Sequence, residues 1–143
     1  MNSVIISKAG GPEVLEYKEL KLEEPKAYEV TIKNHAIGLN YIDTYHRSGL
    51  YPLTLPSPIG LEGAGEITKV GSDVKDFKVG DKVAYCAAPL GAYSTHRNYP
   101  TKNLVKVPDS VDLETAATLM TKGITTFYPV SYKHLTLPTT AYV

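Results

Sequence analysis

Gly60-Leu61-Glu62-Gly63-Ala64-Gly65-Glu66-Ile67-Thr68-Lys69-Val70-Gly71, followed shortly by Gly80-Asp81-Lys82-Val83, is the stretch on which the fold turns. A dinucleotide-binding loop needs G-x-G-x-x-G between a strand and a helix, so that the pyrophosphate meets the helix N-terminus. The order here is G-x-x-G-x-G, and the residues that follow alternate like a strand. The stretch therefore reads as a glycine hairpin whose bare backbone permits a tight bend and close approach. It does not read as a phosphate cradle.

Upstream, residues 3–7, 15–20 and 29–37 read as strands. In the last of these Val30, Ile32 and Ala36 share one face, and Thr31, Lys33 and His35 the other. Asn34 falls on the inner register and needs a hydrogen-bond partner. Residues 40–48 read as a short helix, with Asn40 as N-cap, Asp43 in the first turn, Arg47 in the last and Gly49 at the left-handed C′ position. Pro52, Pro56 and Pro58 then impose an extended loop.

Downstream, residues 83–87, 92–98 and 104–107 read as strands. A helix is predicted over residues 110–120, capped by Asp112, with Leu113, Ala116, Ala117 and Met120 on one face. Residues 124–128 suggest a second helical segment or a crossing, which Pro129 interrupts. Many short strands with a helical exit predict a mainly β domain with peripheral helices, built as a partly open β-barrel.

Composition narrows the function classes. The chain has 143 residues, with Lys+Arg and Asp+Glu balanced at 15 each, so nothing marks a nucleic-acid or anionic-membrane partner. The single cysteine, Cys86, excludes an internal disulfide framework and a Cys-based zinc cluster. It falls in an apolar strand, where a buried, inert thiol is expected. The four histidines lack metal-ligand spacing. No apolar run suits a membrane span or a signal peptide, and a cytoplasmic location is expected.

The densest set of functional side chains is Asn40, Tyr41, Asp43, Tyr45, His46, Arg47 and Tyr51. On a helix Tyr41 and Tyr45 share a face, as do Asp43 and Arg47. A solvated helix with one i,i+4 ion pair accounts for these residue types as well as a functional site does.

Asn40-Tyr41-Ile42-Asp43-Thr44-Tyr45, with Arg47-Ser48-Gly49-Leu50-Tyr51-Pro52, resembles the active-site segment of zinc-independent quinone oxidoreductases of the medium-chain dehydrogenase/reductase superfamily. The resemblance runs in order through Gly10-Gly11-Pro12-Glu13-Val14-Leu15, the glycine hairpin, Gly80-Asp81-Lys82-Val83, Gly91-Ala92-Tyr93-Ser94 and Lys122-Gly123-Ile124-Thr125. It implies a GroES-like catalytic domain, facing a Rossmann domain across a cleft. It also implies hydride transfer from NADPH to a quinone or similar conjugated carbonyl.

By that resemblance Asn40, Asp43, Tyr45 and Tyr51 are the catalytic set, and Asn40, Tyr45, Tyr51, Lys122 and Thr125 face the cofactor. Zinc-dependent relatives place a histidine and two cysteines where this chain has Leu61, Asn40 and Lys122, so the resemblance implies a zinc-free site. Hydrogen-bond donors must then polarise the carbonyl, and Tyr45, Tyr51 and Asn40 are suitable types. Lys122 would add positive charge. Glu62, a metal-supporting position in zinc relatives, has no assigned role.

Residues 130–143 depart from the family and resemble translated adapter sequence. The expectation is a GroES-like domain over residues 1–129 and a non-native or disordered tail, with the Rossmann domain absent. Such a piece would bind NADPH weakly and be inactive alone, with a homodimer expected only for the longer enzyme. Two alternatives stand beside this: a sibling reductase acting on enones, alkenals or enoyl thioesters, and a non-catalytic GroES-like binding module.

Overall fold

Gly60 turns the chain with φ +90°, and the strand that follows becomes the centre of the larger sheet. In the computed structural model, which describes residues 1–135, this strand, β5, runs Glu62–Val70 without interruption. The stretch is therefore not a hairpin within itself. Its antiparallel neighbours are β3 (Glu29–Gly38) on one side and β6 (Lys82–Tyr85) on the other. Close approach explains Gly65, where a Cβ would stand 2.1 Å from the Lys33 carbonyl oxygen across the β3 pairing.

The complete sheet has the order β7-β3-β5-β6-β8, with β7 at His96–Pro100 and β8 at Val105–Lys106. A smaller sheet has the order β2-β1-β4, from Leu15–Glu19, Asn2–Ile6 and Ser57–Pro58. A single bridge between Ser3 and Ser94 links the two. Among the described residues the architecture is thus mainly β and open, with no closed barrel. Val30, Ile32, Ile67, Val83, Tyr85 and Tyr99 form the principal core.

Asn34 finds the partners its inner register requires. Its Nδ2 donates to the carbonyls of Ala92 (3.1 Å) and Ser94 (2.8 Å), and Oδ1 accepts from the Tyr85 hydroxyl at 2.8 Å. The strand expected over 92–98 forms only from His96 onward. Before that, the Gly91 and Ala92 N–H groups both donate to the Gly60 carbonyl and serve the bend, while Tyr93 and Thr95 bond to β1 through the Tyr93 carbonyl and the Thr95 N–H.

The C-terminal helix also differs from expectation. One helix, α2, runs Leu113–Leu135, through Gly123 and Pro129. Asp112 caps it, with Oδ1 accepting the Thr115 N–H at 2.6 Å, and Ala116 and Ala117 pack on Ala64 and Ala84. Contacts with β3, β5 and β6 anchor α2. Once nucleated, a helix adds residues at small cost, and Gly123 with the β-branched run after it opposes extension by about 1 kcal/mol per residue or less. The tail expected over residues 130–143 is helical as far as residue 135; residues 136–143 lie outside the described residues. No helix among the described residues is long and apolar enough to cross a membrane.

Candidate active site

The end of β3 delivers the chain to Asn40, which takes extended backbone (φ −127°, ψ 153°) and caps the helix α1, Tyr41–Ser48. The Asn40 N–H donates to Asp43 Oδ2 at 3.0 Å, one half of a capping box. At the other end Gly49 adopts φ +84°, the left-handed C′ conformation anticipated from sequence.

Asp43 points into the protein and is only 4% exposed. Its Oδ2 also accepts from the Tyr93 hydroxyl at 2.8 Å. Burial, and the Asp43 carboxylate that the hydroxyl faces, push the Tyr93 phenol far above its ordinary range. The Asp43–Arg47 ion pair open to a solvated helix does not form: Arg47 Nε instead donates to the Gly10 carbonyl at 3.3 Å. Asp43 lies beneath the site and fixes α1 against the loop before β7.

Glu62, left without a role by the sequence, is the hub. It is 0% exposed at the head of β5. Its Oε2 accepts from Asn40 Nδ2 at 2.7 Å, and its Oε1 from the Thr121 backbone N–H of α2 at 2.7 Å. Gly38 makes room for this meeting, since a Cβ there would lie 2.6 Å from Glu62 Oε2 and 2.2 Å from the Ala117 carbonyl. One carboxylate therefore ties β5, the cap of α1 and the middle of α2 together.

Lys122 reaches over the same group, its Nζ 3.4 Å from both Asn40 Oδ1 and the Leu39 carbonyl. Asn40 thus stands between two buried carboxylates and one exposed ammonium. The aromatic residues run along α1 and past its end. Tyr45 makes edge contacts with Tyr41 (5.5 Å between centroids) and Tyr51 (5.4 Å), and Tyr51 also meets His46. Neither the Tyr45 nor the Tyr51 hydroxyl belongs to the carboxylate network.

Thr125 lies one turn beyond Thr121 and donates its hydroxyl to the Thr121 carbonyl at 2.6 Å, so only its oxygen remains to accept from a ligand. Cys86 sits just past β6 and is half-buried, more open than expected. Burial, and then the neighbouring Glu62 charge, push its thiol pKa upward.

A cavity of about 370 Å³, lined by Val4, Asn34, Ile37 and Ser94, shares only Tyr93 with this group. Among the described residues no three of His, Cys, Asp and Glu gather to hold a metal ion. Sequence reasoning missed Glu62, Thr121 and the Tyr93 hydroxyl as parts of the site. The one available signal was a carboxylate at the head of a strand of small, buried residues.

The chain is 58% identical over 120 residues to a quinone oxidoreductase of Pseudomonas aeruginosa, covering 83% of this chain and 37% of that protein. It is 42% identical over 142 residues to a 2-haloacrylate reductase of a Burkholderia species, covering 95% of this chain and 43% of that protein. The crystal structure of Escherichia coli quinone oxidoreductase complexed with NADPH superposes with a TM-score of 0.89 at 44% identity, over 91% of this chain and 40% of that one. The chain thus spans about two fifths of the length of these relatives. The model of the alcohol dehydrogenase GroES-like domain matches residues 26–109, from the turn before β3 to the approach of α2, and the chain belongs to that family.

Proposed function

We propose that these residues form the nicotinamide-facing half of a zinc-free reductase that passes a hydride from NADPH to a quinone. The observation that carries this reading is the meeting of the Lys122 ammonium with Asn40 Oδ1 at the head of α1, with the Tyr41–Tyr45–Tyr51 aromatic run along the same helix and past its end. The likeness to quinone oxidoreductases supports it, one of them described as complexed with NADPH. The residues present suit a nicotinamide cofactor in chemical type: an amide acceptor, a cation and two free phenols beside exposed aromatic edges.

Bound NADPH would supply the hydride, and a proton from the medium would complete reduction of the quinone to the hydroquinone. The protein's part is orientation and electrostatics. Tyr45 and Tyr51 present hydroxyl donors for a carbonyl oxygen that gains negative charge, and Lys122 adds a positive charge at Asn40 Oδ1. The tyrosine edges hold a planar ring in place, which shortens the search for a reactive orientation. Asp43 and Glu62 keep the platform rigid from below.

The Burkholderia relative favours a second reading, a reductase of conjugated alkenes such as haloacrylates. One chimera tests both: the 120 aligned residues of the Pseudomonas aeruginosa relative are replaced by those of this chain. The quinone reading expects NADPH oxidation with 1,4-benzoquinone, lowered about tenfold or more in kcat/KM by Lys122→Ala or Tyr51→Phe. A chimera that folds and binds NADPH yet reduces 2-chloroacrylate and no quinone selects the alkene reading. One that reduces neither overturns both. For the 143-residue chain alone, calorimetry is expected to show no NADPH binding tighter than millimolar.

A further inference from the structure

We infer that Glu62 is a positioning residue, which sets the direction of the Asn40 side-chain amide so that the site is met by the acceptor Oδ1. Its functional meaning rests on the reductase reading above, but the geometry stands without it. A carboxylate only accepts, so the end of Asn40 facing Glu62 must be Nδ2, at 2.7 Å. An ammonium only donates, so the end facing Lys122 must be Oδ1, at 3.4 Å. Two independent neighbours impose the same orientation.

Glu62 cannot turn away to release Asn40. It is 0% exposed, and its second oxygen holds the Thr121 N–H at 2.7 Å, a backbone donor that the helix keeps fixed. The bare Cα of Gly38 closes the box against its other side. For the proposed reaction this removes Asn40 from the donors that polarise a carbonyl. Its role is to accept an N–H or O–H from a bound ligand while orienting Lys122. Polarisation falls to Lys122 and the two tyrosine hydroxyls.

The chemistry of a single substitution makes the idea testable. In Glu62→Gln one oxygen remains where two were used. The Thr121 N–H takes it, the new amide nitrogen faces Asn40, and Asn40 must turn to offer Oδ1. Its Nδ2 then meets the Lys122 ammonium, donor against donor. Adding Asn40→Asp restores an acceptor toward both neighbours with the same number of charges as the wild-type pair.

The test is NMR of the 143-residue chain labelled with carbon-13 and nitrogen-15, with no cofactor present. Failure of the reductase reading therefore leaves its result untouched. The inference expects a through-hydrogen-bond coupling between Asn40 Nδ2 and the Glu62 carboxylate carbon. It expects Overhauser contacts from the Asn40 amide protons that are stronger to Thr121 than to Lys122. In Glu62→Gln those contacts should move to Lys122. In the chimera, Glu62→Gln should raise the KM for NADPH at least threefold with kcat changed less, and the double variant Glu62→Gln/Asn40→Asp should recover most of that loss. Asn40 amide protons with stronger contacts to Lys122 than to Thr121 in the unsubstituted chain would overturn the inference. So would a folded Glu62→Gln that keeps the original contacts, or a folded double variant no better than Glu62→Gln. If Glu62→Gln does not fold, the coupling in the unsubstituted chain and the behaviour of the double variant decide the matter.

Discussion

The Tyr93 hydroxyl donates to Asp43 Oδ2 at 2.8 Å, joining the loop before β7 to the first turn of α1. The acceptor is a carboxyl group only 4% exposed, and a hydrogen bond to such a group is worth about 1–3 kcal/mol. Tyr93→Phe removes only the hydroxyl and keeps the ring in the core. We expect it to lower the urea midpoint by that amount of stability with an unchanged m-value. Tyr41→Phe, at a ring 77% exposed, should change stability by less than about 0.5 kcal/mol. Equal effects from the two would mean that the Asp43 contact contributes nothing of its own.

Glu62 gives the second prediction. Glu62→Leu keeps the volume roughly constant but leaves the Thr121 N–H and Asn40 Nδ2 without their acceptor. Each buried donor so abandoned costs about 1–3 kcal/mol, and a loss of that order per donor should appear in chemical denaturation. Loss of amide protection at Thr121, measured by hydrogen exchange, should accompany it. Protection unchanged at Thr121 would show that the helix ladder alone suffices there.

Much of this arrangement was legible in the residue pattern, and what was not has a common cause. The cap of α1, its glycine terminus, the inward Asn34 and the apolar face of α2 follow from local spacing, which short-range geometry fixes. Helix spacing alone leaves Asp43 open to an exposed pairing with Arg47, and the resemblance places it in the catalytic set. Tyr93, fifty residues away, decides the pairing. Glu62 was opaque for the same reason, since its donors come from two elements distant in sequence, β3's exit and α2. The extent of α2 was misjudged because glycine, β-branched residues and proline argue locally for an end, while the contacts that nucleate the helix are tertiary.

Cys86 carries a prediction about reactivity. Burial and then the Glu62 charge raise its thiol pKa, and the thiolate is the nucleophile. At about pH 8 the thiol, whose unperturbed pKa is about 8.5, should react with iodoacetamide more slowly than free cysteine. Removing the charge in Glu62→Gln should raise the rate at fixed pH and shift the rate–pH profile to lower pH. A profile that stays in place would show that the carboxylate is not felt at the thiol.

Arg97 supplies a test of packing. It is 5% exposed, with its guanidinium 4.8 Å from the Tyr85 ring centroid and 4.6 Å from that of Tyr99. Its Nη2 donates to the carbonyls of Pro89 (2.6 Å) and Leu90 (3.2 Å). A planar, weakly hydrated cation suits this slot, and a compact ammonium does not. Arg97→Lys should therefore cost about 2 kcal/mol or more, despite keeping the charge. A neutral result in thermal or chemical denaturation would mean that charge and not planarity is what the two tyrosines require.

The acid limb of stability should report the cap of α2. The Thr115 backbone N–H, then the Thr115 hydroxyl, hold the Asp112 carboxyl below its usual pKa. Its folded pKa thus lies below the unfolded value of about 3.9. The unfolded state binds the proton first, so the stabilisation is fully present above the unfolded pKa and is lost as pH falls through the folded one. Asp112→Asn keeps an oxygen for the Thr115 N–H but cannot titrate. Its stability should therefore fall less steeply than that of the unsubstituted chain between about pH 4 and the folded pKa. Asp81, lowered first by its hydrogen bond with Lys106 and then by the Lys78 N–H, should behave in the same way in Asp81→Asn. Urea midpoints taken from about pH 5 to pH 2 measure both slopes. Parallel curves for Asp112→Asn and the unsubstituted chain would remove Asp112 from the acid response and leave its role as the uncharged acceptor of a helix cap.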